Sequence, residues 1–378
     1  MPDLLICADS IRSADMRHAV PLAVPDPFLY AEAGGARHVF SSSMEAGRLR
    51  ALGLFEVHIS EEFGIDELIG QGLPIRELRA QLTVRAVASL GSKSFSVPEG
   101  FPVWLADRLR AEGFELTVDQ DVFDDRRRAK TDAQIAGMRR AQKAAEAAMD
   151  TCRDLLRRSE INGDQLLLDG EPLTVERVKA AMSATFTAHD TTAEDYIVAP
   201  GAQGAVGHDM GSGPIPPHTP VVVDIWPRDN ASAAFTDMTR TFVVGDVPDD
   251  VREWHRLCKE ALDRALAETK PGAEGKAIFD GTCEIFEAAG EPTQRTKEAG
   301  VALVDGFFHG LGHGVGLEVH EAPGLGIISE KELIAGDVVT LEPGLYRSGY
   351  GGVRLEDIVL VTEGGAENLT NYPYDLEP

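Results

Sequence analysis

Val221-Val222-Val223-Asp224-Ile225-Trp226 is followed, thirteen residues after its aspartate, by Asp237 in Phe235-Thr236-Asp237-Met238-Thr239-Arg240-Thr241, and the rest of the chain is read outward from this stretch. The β-branched apolar runs predict strands over 221–226 and 239–244. An acidic residue closing such a run costs several kcal/mol to bury unless something compensates it. A single Asp there is ordinarily a turn or cap residue. Between the two aspartates, Arg228-Asp229-Asn230-Ala231-Ser232 can turn a hairpin. Asp224 and Asp237 would then stand on neighbouring strands, facing one point.

A second acidic pair repeats the arrangement. Glu342 closes Val338-Val339-Thr340-Leu341-Glu342, and Glu356 follows fourteen residues later in Arg354-Leu355-Glu356-Asp357. Gly344, Gly349, Gly351 and Gly352 lie between and suit another hairpin. Four carboxylates gathered together need partners, and divalent metal is the usual one. A fifth element is Phe308-His309-Gly310-Leu311-Gly312-His313-Gly314-Val315-Gly316-Leu317-Glu318-Val319-His320-Glu321. Its alternating glycines exclude the helical zinc motif, which needs two histidines one turn apart. Alone, it also fits a phosphate- or nucleotide-binding loop. Beside the acidic pairs it brings an imidazole to a hard, oxygen-rich set, which favours Mn²⁺, Co²⁺ or Fe²⁺ over a thiolate zinc site. There are more carboxylates than one ion uses, so two ions sharing a bridging hydroxide are expected.

The flanks divide the chain in two. Asp124-Asp125-Arg126-Arg127-Arg128-Ala129-Lys130 reads as a solvated linker, and Thr131 and Gln134 have capping-box spacing at the head of an Ala-rich helix reaching Arg158. The boundary is placed at 128. Residues 1–128 alternate short apolar runs (4–8, 114–118) with helical patterns (44–52, 102–113), as a small α/β domain does. His18, His38 and His58 read as isolated structural histidines. Residues 129–378 carry helices near 174–188, 249–270 and 275–289. Further strands are expected at 196–199, 338–342 and 353–362, and an extra hairpin within 159–173 turns at Asn162-Gly163. The mixed order predicts α+β with antiparallel strands.

The formal net charge is −26, of which −5 falls on residues 1–130 and −21 on the remainder, so a nucleic-acid partner is excluded. No apolar run approaches the ~20 residues of a membrane helix, and the N-terminus lacks the basic region of a signal peptide. The scattered Cys7, Cys152, Cys258 and Cys283 fit buried thiols in a reducing cytoplasm better than disulfides.

At these motifs the sequence resembles the pita-bread metallopeptidases, on the aminopeptidase P and prolidase branch, over about residues 125–365. The resemblance implies an α+β pita-bread catalytic domain at 129–378, preceded by a creatinase-N-like α/β domain at 1–128. It implies five metal ligands, Asp224, Asp237, His313, Glu342 and Glu356. It places His309 and His320 at the substrate, with His208 in Gly207-His208-Asp209 and Arg354 as further substrate residues. The implied reaction is hydrolysis of the bond before proline at the N-terminus of dipeptides or short peptides by a metal-held hydroxide. Glu342 would move the proton, and His309 and His320 would bond the oxyanion or carbonyl. Arg354 would either pair with a substrate carboxylate or orient Glu356 and Asp237. The implied cofactors are two divalent ions, Mn²⁺ first, with Co²⁺, Zn²⁺ or Fe²⁺ also fitting. A cytoplasmic homodimer is expected.

Three departures stand out. Two extra residues separate Asp224 from Asp237, the early Tyr-Leu-Ser/Thr-Gly segment is missing, and 159–173 is added. Methionine aminopeptidases share Gly312–Gly316 and His320–Pro323 but lack His309-Gly310 and the preceding domain. A metal-dependent lyase on the same fold, or an inactive binding protein that keeps it, would carry similar motifs.

Overall fold

Leu4-Leu5-Ile6 shows why the first part of the chain needs helices on both faces of a sheet. Leu4 and Ile6 pack with Met16, Tyr30, Val39, Leu49 and Phe123. Leu5, pointing the other way, packs with Phe95, Val87, Leu105 and Leu109. The computed structural model describes residues 3–378, which form two compact units, Met1–Arg127 and Arg128–Pro378. In the first unit six strands lie in the order Glu56–Ile59, Ala36–Ser41, Phe28–Ala33, Leu4–Ala8, Ser94–Val97 and Glu115–Val118. The central pairings are antiparallel and the outer ones parallel. Helices Ser43–Ala51 and Val103–Ala111 occupy the expected segments within two residues.

One expectation here is overturned. His38 and His58 are neighbours, with His38 Nδ1 3.3 Å from His58 Nε2. Twenty residues separate them in sequence, but a parallel pairing aligns their strands. The charge run at 124–130 is also no solvated linker. Gln120–Arg128 is helical. Arg127 is buried against Asp15 and Asp124. Arg128 is buried on Asp337, at 2.9 and 2.7 Å. The Lys130 side chain is buried on Glu321. Each cation has a carboxylate partner, which is the condition for burying it.

The second unit begins with the helix Asp132–Arg158, 27 residues long. The Thr131 hydroxyl accepts from the Gln134 N–H, and the Gln134 side chain accepts from the Thr131 N–H, closing the capping box. Thr131→Ala is therefore expected to destabilise this unit by about 1 kcal/mol, read as a shift in the urea midpoint. An unmoved midpoint would leave the cap without energetic weight. Ala145, Ala148, Met149 and Cys152 on this helix, with Val178 and Met182 of the helix Val175–Ala188, back a three-stranded antiparallel sheet. Its strands are Ile197–Pro200, Val221–Ile225 and Met238–Phe242. The helices Asp249–Glu268 and Gly275–Ala288 back a five-stranded antiparallel sheet through Trp254, Leu257, Phe279, Phe286, Val339 and Leu341. The strand order of that sheet is Glu321–Leu325, Gly312–Gly314, Val338–Leu341, Asp357–Thr362 and Gly365–Asn368.

Two further expectations change. Residues 159–173 form a three-stranded meander, Glu160–Asn162, Gln165–Leu168 and Glu171–Pro172, because Asp169-Gly170 supplies a second turn with both φ positive. The strand expected over 353–362 is broken at Leu355-Glu356. Gly351–Arg354 pairs with Gly344–Arg347, while Asp357–Thr362 joins the five-stranded sheet. The Glu356 N–H turns aside to Thr239 O, 3.1 Å away, linking the two sheets. Arg240 is buried beneath this crossing and donates to Asp357 and to the Glu356 carbonyl. Cys152, Cys258 and Cys283 are buried and Cys7 partly so, all as free thiols. No helix among the described residues is long and apolar enough to cross a membrane.

Candidate metal centre

The two acidic pairs are placed by the same device. Asp224 lies in the strand Val221–Ile225, and Asp237 immediately precedes the strand Met238–Phe242 that pairs with it, Asp224 standing opposite Thr239. Glu342 immediately follows the strand Val338–Leu341, and Glu356 immediately precedes its antiparallel partner, Leu341 standing opposite Asp357. Each pair therefore sits side by side at one sheet end, and the Thr239–Glu356 bridge joins the two ends. The segment between Asp224 and Asp237 contains a turn pinned by Asp229, which takes a bidentate contact from Arg140 at 2.8 Å and a 2.8 Å bond from the Ser232 N–H.

His313 comes from the strand Gly312–Gly314, pressed between neighbours on both sides. A Cβ on Gly312 would lie 2.0 Å from the Thr340 carbonyl oxygen, and one on Gly314 would lie 2.4 Å from that of Ala322. The glycines thus permit close backbone approach in a strand. The His313 Nδ1–H donates to the Gly314 carbonyl at 3.1 Å. That leaves the Nε2 lone pair facing Asp237 at 3.9 Å and Glu342 at 3.6 Å. Ligand atoms of Asp237, His313 and Glu356 all lie within 4.8 Å of one another.

The electrostatics identify what belongs there. Burial, and then the neighbouring carboxylates, push Asp237 and Glu356 well above the usual carboxylate range. Burial, reinforced by Asp224, takes Glu342 up to about 8. Burial lowers His309 to about 3, with Arg354 adding repulsion, and His313 to about 4, with His320 adding repulsion. His320 is lowered by burial and by His208. The imidazoles are therefore neutral at pH 7. Asp224 Oδ1 and Asp237 Oδ1 are buried and, among the described residues, have no hydrogen-bond partner. Crowded carboxylates, two orphaned oxygens and a neutral imidazole with its lone pair inward fit divalent cations.

The remaining predicted residues surround this cluster. The ring of His320 packs edge-on to His313, with centroids 4.2 Å apart, and is exposed on its other side. His208 is exposed and close enough to repel charge on His309 and His320. His309 has both nitrogens engaged within the protein. Nδ1–H donates to the Gly310 carbonyl at 2.7 Å, and Nε2 accepts from the Tyr346 hydroxyl at 2.9 Å. The Arg354 side chain is buried, with Nη2 2.6 Å from Asp224, Nη1 2.8 Å from Tyr346 and Nε 3.3 Å from Thr239. All of its nitrogens are occupied. It contacts Asp224 directly, and it reaches Glu356 through Thr239. Tyr346 and Thr239 were missed as site residues. Tyr346 ties His309 to Arg354, and Thr239 donates to Glu356 at 2.8 Å. Both lie inside motifs already singled out, Glu-Pro-Gly-Leu-Tyr and Asp-Met-Thr-Arg-Thr, but neither has a side chain that advertises chemistry.

Four carboxylates and an imidazole, set where two helix-backed antiparallel sheets meet, define a metal-dependent hydrolase of pita-bread architecture. Residues 136–363 match metallopeptidase family M24, and the chain belongs to that family. It is 33% identical to the Xaa-Pro dipeptidase of Pyrococcus furiosus over 291 residues, 76% of this chain and 74% of that protein. The Xaa-Pro dipeptidase of Pyrococcus horikoshii is 30% identical over 78% of this chain and 76% of its own length. The fold is that of an Xaa-Pro dipeptidase from Bacillus anthracis, with a TM-score of 0.80 at 22% identity over 100% of this chain and 94% of that one.

Proposed function

We propose that this metallopeptidase hydrolyses the Xaa-Pro bond at the N-terminus of dipeptides or short peptides, using two divalent ions. The observation that carries the reading is the complete set Asp224, Asp237, His313, Glu342 and Glu356 at one point, in a chain one-third identical to an Xaa-Pro dipeptidase along most of its length. Asp224, Asp237, His313, Glu342 and Glu356 are the residues that would hold the ions. When bound, the ions polarise the scissile carbonyl and make water acidic enough to attack near neutral pH.

The protein's own groups then divide the work. Glu342, about one-fifth exposed, accepts a proton from the attacking water and passes it to the leaving nitrogen. His320, at the exposed side of His313, donates to the developing oxyanion. His208 and His309 flank the bound peptide. Arg354 is a positioning residue that holds Asp224 through a charge-assisted bond. Tyr346→Phe removes both the bond to His309 and the acceptor for Arg354. It is expected to lower kcat/KM about 10- to 100-fold, as loss of a partner behind metal ligands does. Unchanged kinetics would show the network to be idle.

The test is hydrolysis of Ala-Pro, Leu-Pro, Met-Ala and Ala-Pro-Ala after metal removal and after return of Mn²⁺, Co²⁺ or Zn²⁺. Metal-dependent cleavage before proline is the expected result, and the dipeptide-to-tripeptide ratio divides the two substrate classes. Tight metal binding with no peptide cleaved overturns the reading. Light scattering on the same preparation tests the homodimer.

A further inference from the structure

We propose that the N-terminal unit carries a metal site of its own, in which His38, His58 and Glu56 bind a zinc-class divalent cation at the edge of the sheet and Glu62 orients His58. The backbone sets the group up. The strands Ala36–Ser41 and Glu56–Ile59 run parallel, with His38 opposite Glu56 and Phe40 opposite His58. The two-residue period puts His38, Phe40, Glu56 and His58 on one face. Glu56–Ile59 is the outermost strand of the six.

The distances match a coordination sphere. His38 Nδ1 lies 3.3 Å from His58 Nε2 and 3.5 Å from Glu56 Oε2. One ligand atom from each residue lies within 4.8 Å of the other two. Zinc–ligand bonds of about 2.0–2.1 Å in a tetrahedron put ligand atoms roughly 3.3–3.4 Å apart. The two measured edges are therefore those of a tetrahedral site needing only a small swing of Glu56, whose side chain is 63% exposed. A water molecule would complete the sphere.

An independent feature points the same way. His58 Nδ1 lies 3.1 Å from Glu62 Oε2. A carboxylate can only accept, so Nδ1 carries the proton and Nε2 presents its lone pair toward His38 and Glu56. A carboxylate behind a histidine is the usual support for a metal-ligating imidazole. Phe40 stacks on the His58 ring at 4.8 Å and Phe63 closes its edge at 6.0 Å, fixing the rotamer. Without an ion, His38 Nδ1–H donates to His58 Nε2. On binding, His38 adopts the Nε2–H tautomer and offers Nδ1, with no net change in protonation. Two imidazoles and one carboxylate select Zn²⁺, Co²⁺ or Ni²⁺ over Mg²⁺ or Ca²⁺.

The test is zinc content of the full chain after chelation, reloading with Zn²⁺ and gel filtration. His38→Ala and His58→Ala are each expected to hold one equivalent fewer than wild type, with peptidase activity unaltered. Glu62→Gln is expected to weaken that equivalent about 10- to 100-fold in chelator competition. Equal zinc in wild type and His58→Ala overturns the proposal. Should an alanine variant unfold in chelator, the exposed Glu62→Gln decides, and unchanged zinc affinity there overturns the proposal as well.

Discussion

Glu342→Gln is expected to lower kcat on an Xaa-Pro dipeptide by roughly 10²- to 10⁴-fold, the range lost with a general base, while KM moves far less. The amide keeps the shape of the side chain and one oxygen for a metal, but it cannot take a proton from water. Glu342 stands 3.6 Å from His313 Nε2 and is one-fifth exposed, so it borders both the ligand cluster and the space a peptide enters. Metal content separates the two ways activity can be lost. A variant that keeps its full complement and has lost turnover assigns the loss to proton transfer. The chelated protein gives a second readout of opposite sign. Burial and Asp224 hold the Glu342 carboxyl up at about 8, so a neutral amide relieves repulsion and stabilises the metal-free fold. Damaged packing lowers activity and stability together. Here activity falls and chelated stability rises. Retained turnover with a full metal complement would remove Glu342 from proton transfer.

The sequence made the centre legible because carboxylates are conspicuous where strands should be apolar. Asp224 after three valines and Glu342 after Val338-Val339-Thr340-Leu341 each break a pattern that burial requires, and two such breaks, each followed by a second carboxylate thirteen or fourteen residues on, point to one cluster. What supports the cluster was not legible. Arg354 has the same letter whether it lies at the surface or is buried against Asp224, and only the fold shows its depth. The break at Leu355-Glu356 was hidden because strand-forming apolar residues stand on both sides of it, Val353 and Leu355 before and Ile358 to Val361 after; the turn is dictated by the Glu356 N–H pairing with Thr239 O in another sheet. Arg127, Arg128 and Lys130 looked solvated because their partners Asp15, Asp337 and Glu321 are remote in sequence. His38 and His58 were separated for the same reason. Parallel pairing joins residues that no local spacing connects.

The chelated protein is expected to lose stability as pH rises from about 6.5 to 8, and added divalent metal to abolish that slope. Glu342 moves from the ordinary 4.5 to about 8 on folding, and Asp237 and Glu356 move upward with it. In this window the folded state holds protons that the unfolded chain has released, so stability falls by up to about 1.4 kcal/mol per pH unit for each such group. The histidines act in the opposite sense. His309 and His313 are depressed to about 3 and about 4, so their contribution grows with pH only until the unfolded imidazole has itself lost its proton near 6.5. Between 4.5 and 6.5 the two sets oppose each other. Above 6.5 the carboxylates act alone, which makes that interval the discriminating one. Bound cations reverse the preference by favouring the ionised carboxylates, and they stabilise the fold by mass action, by about 2.7 kcal/mol at a hundredfold excess over Kd. Urea unfolding at pH 6.5, 7.25 and 8, with chelator and then with Mn²⁺, measures both effects. A chelated stability that is flat or rising across these three points would mean that the four carboxylates do not crowd one another, and the case for metal at this centre would lose its electrostatic basis.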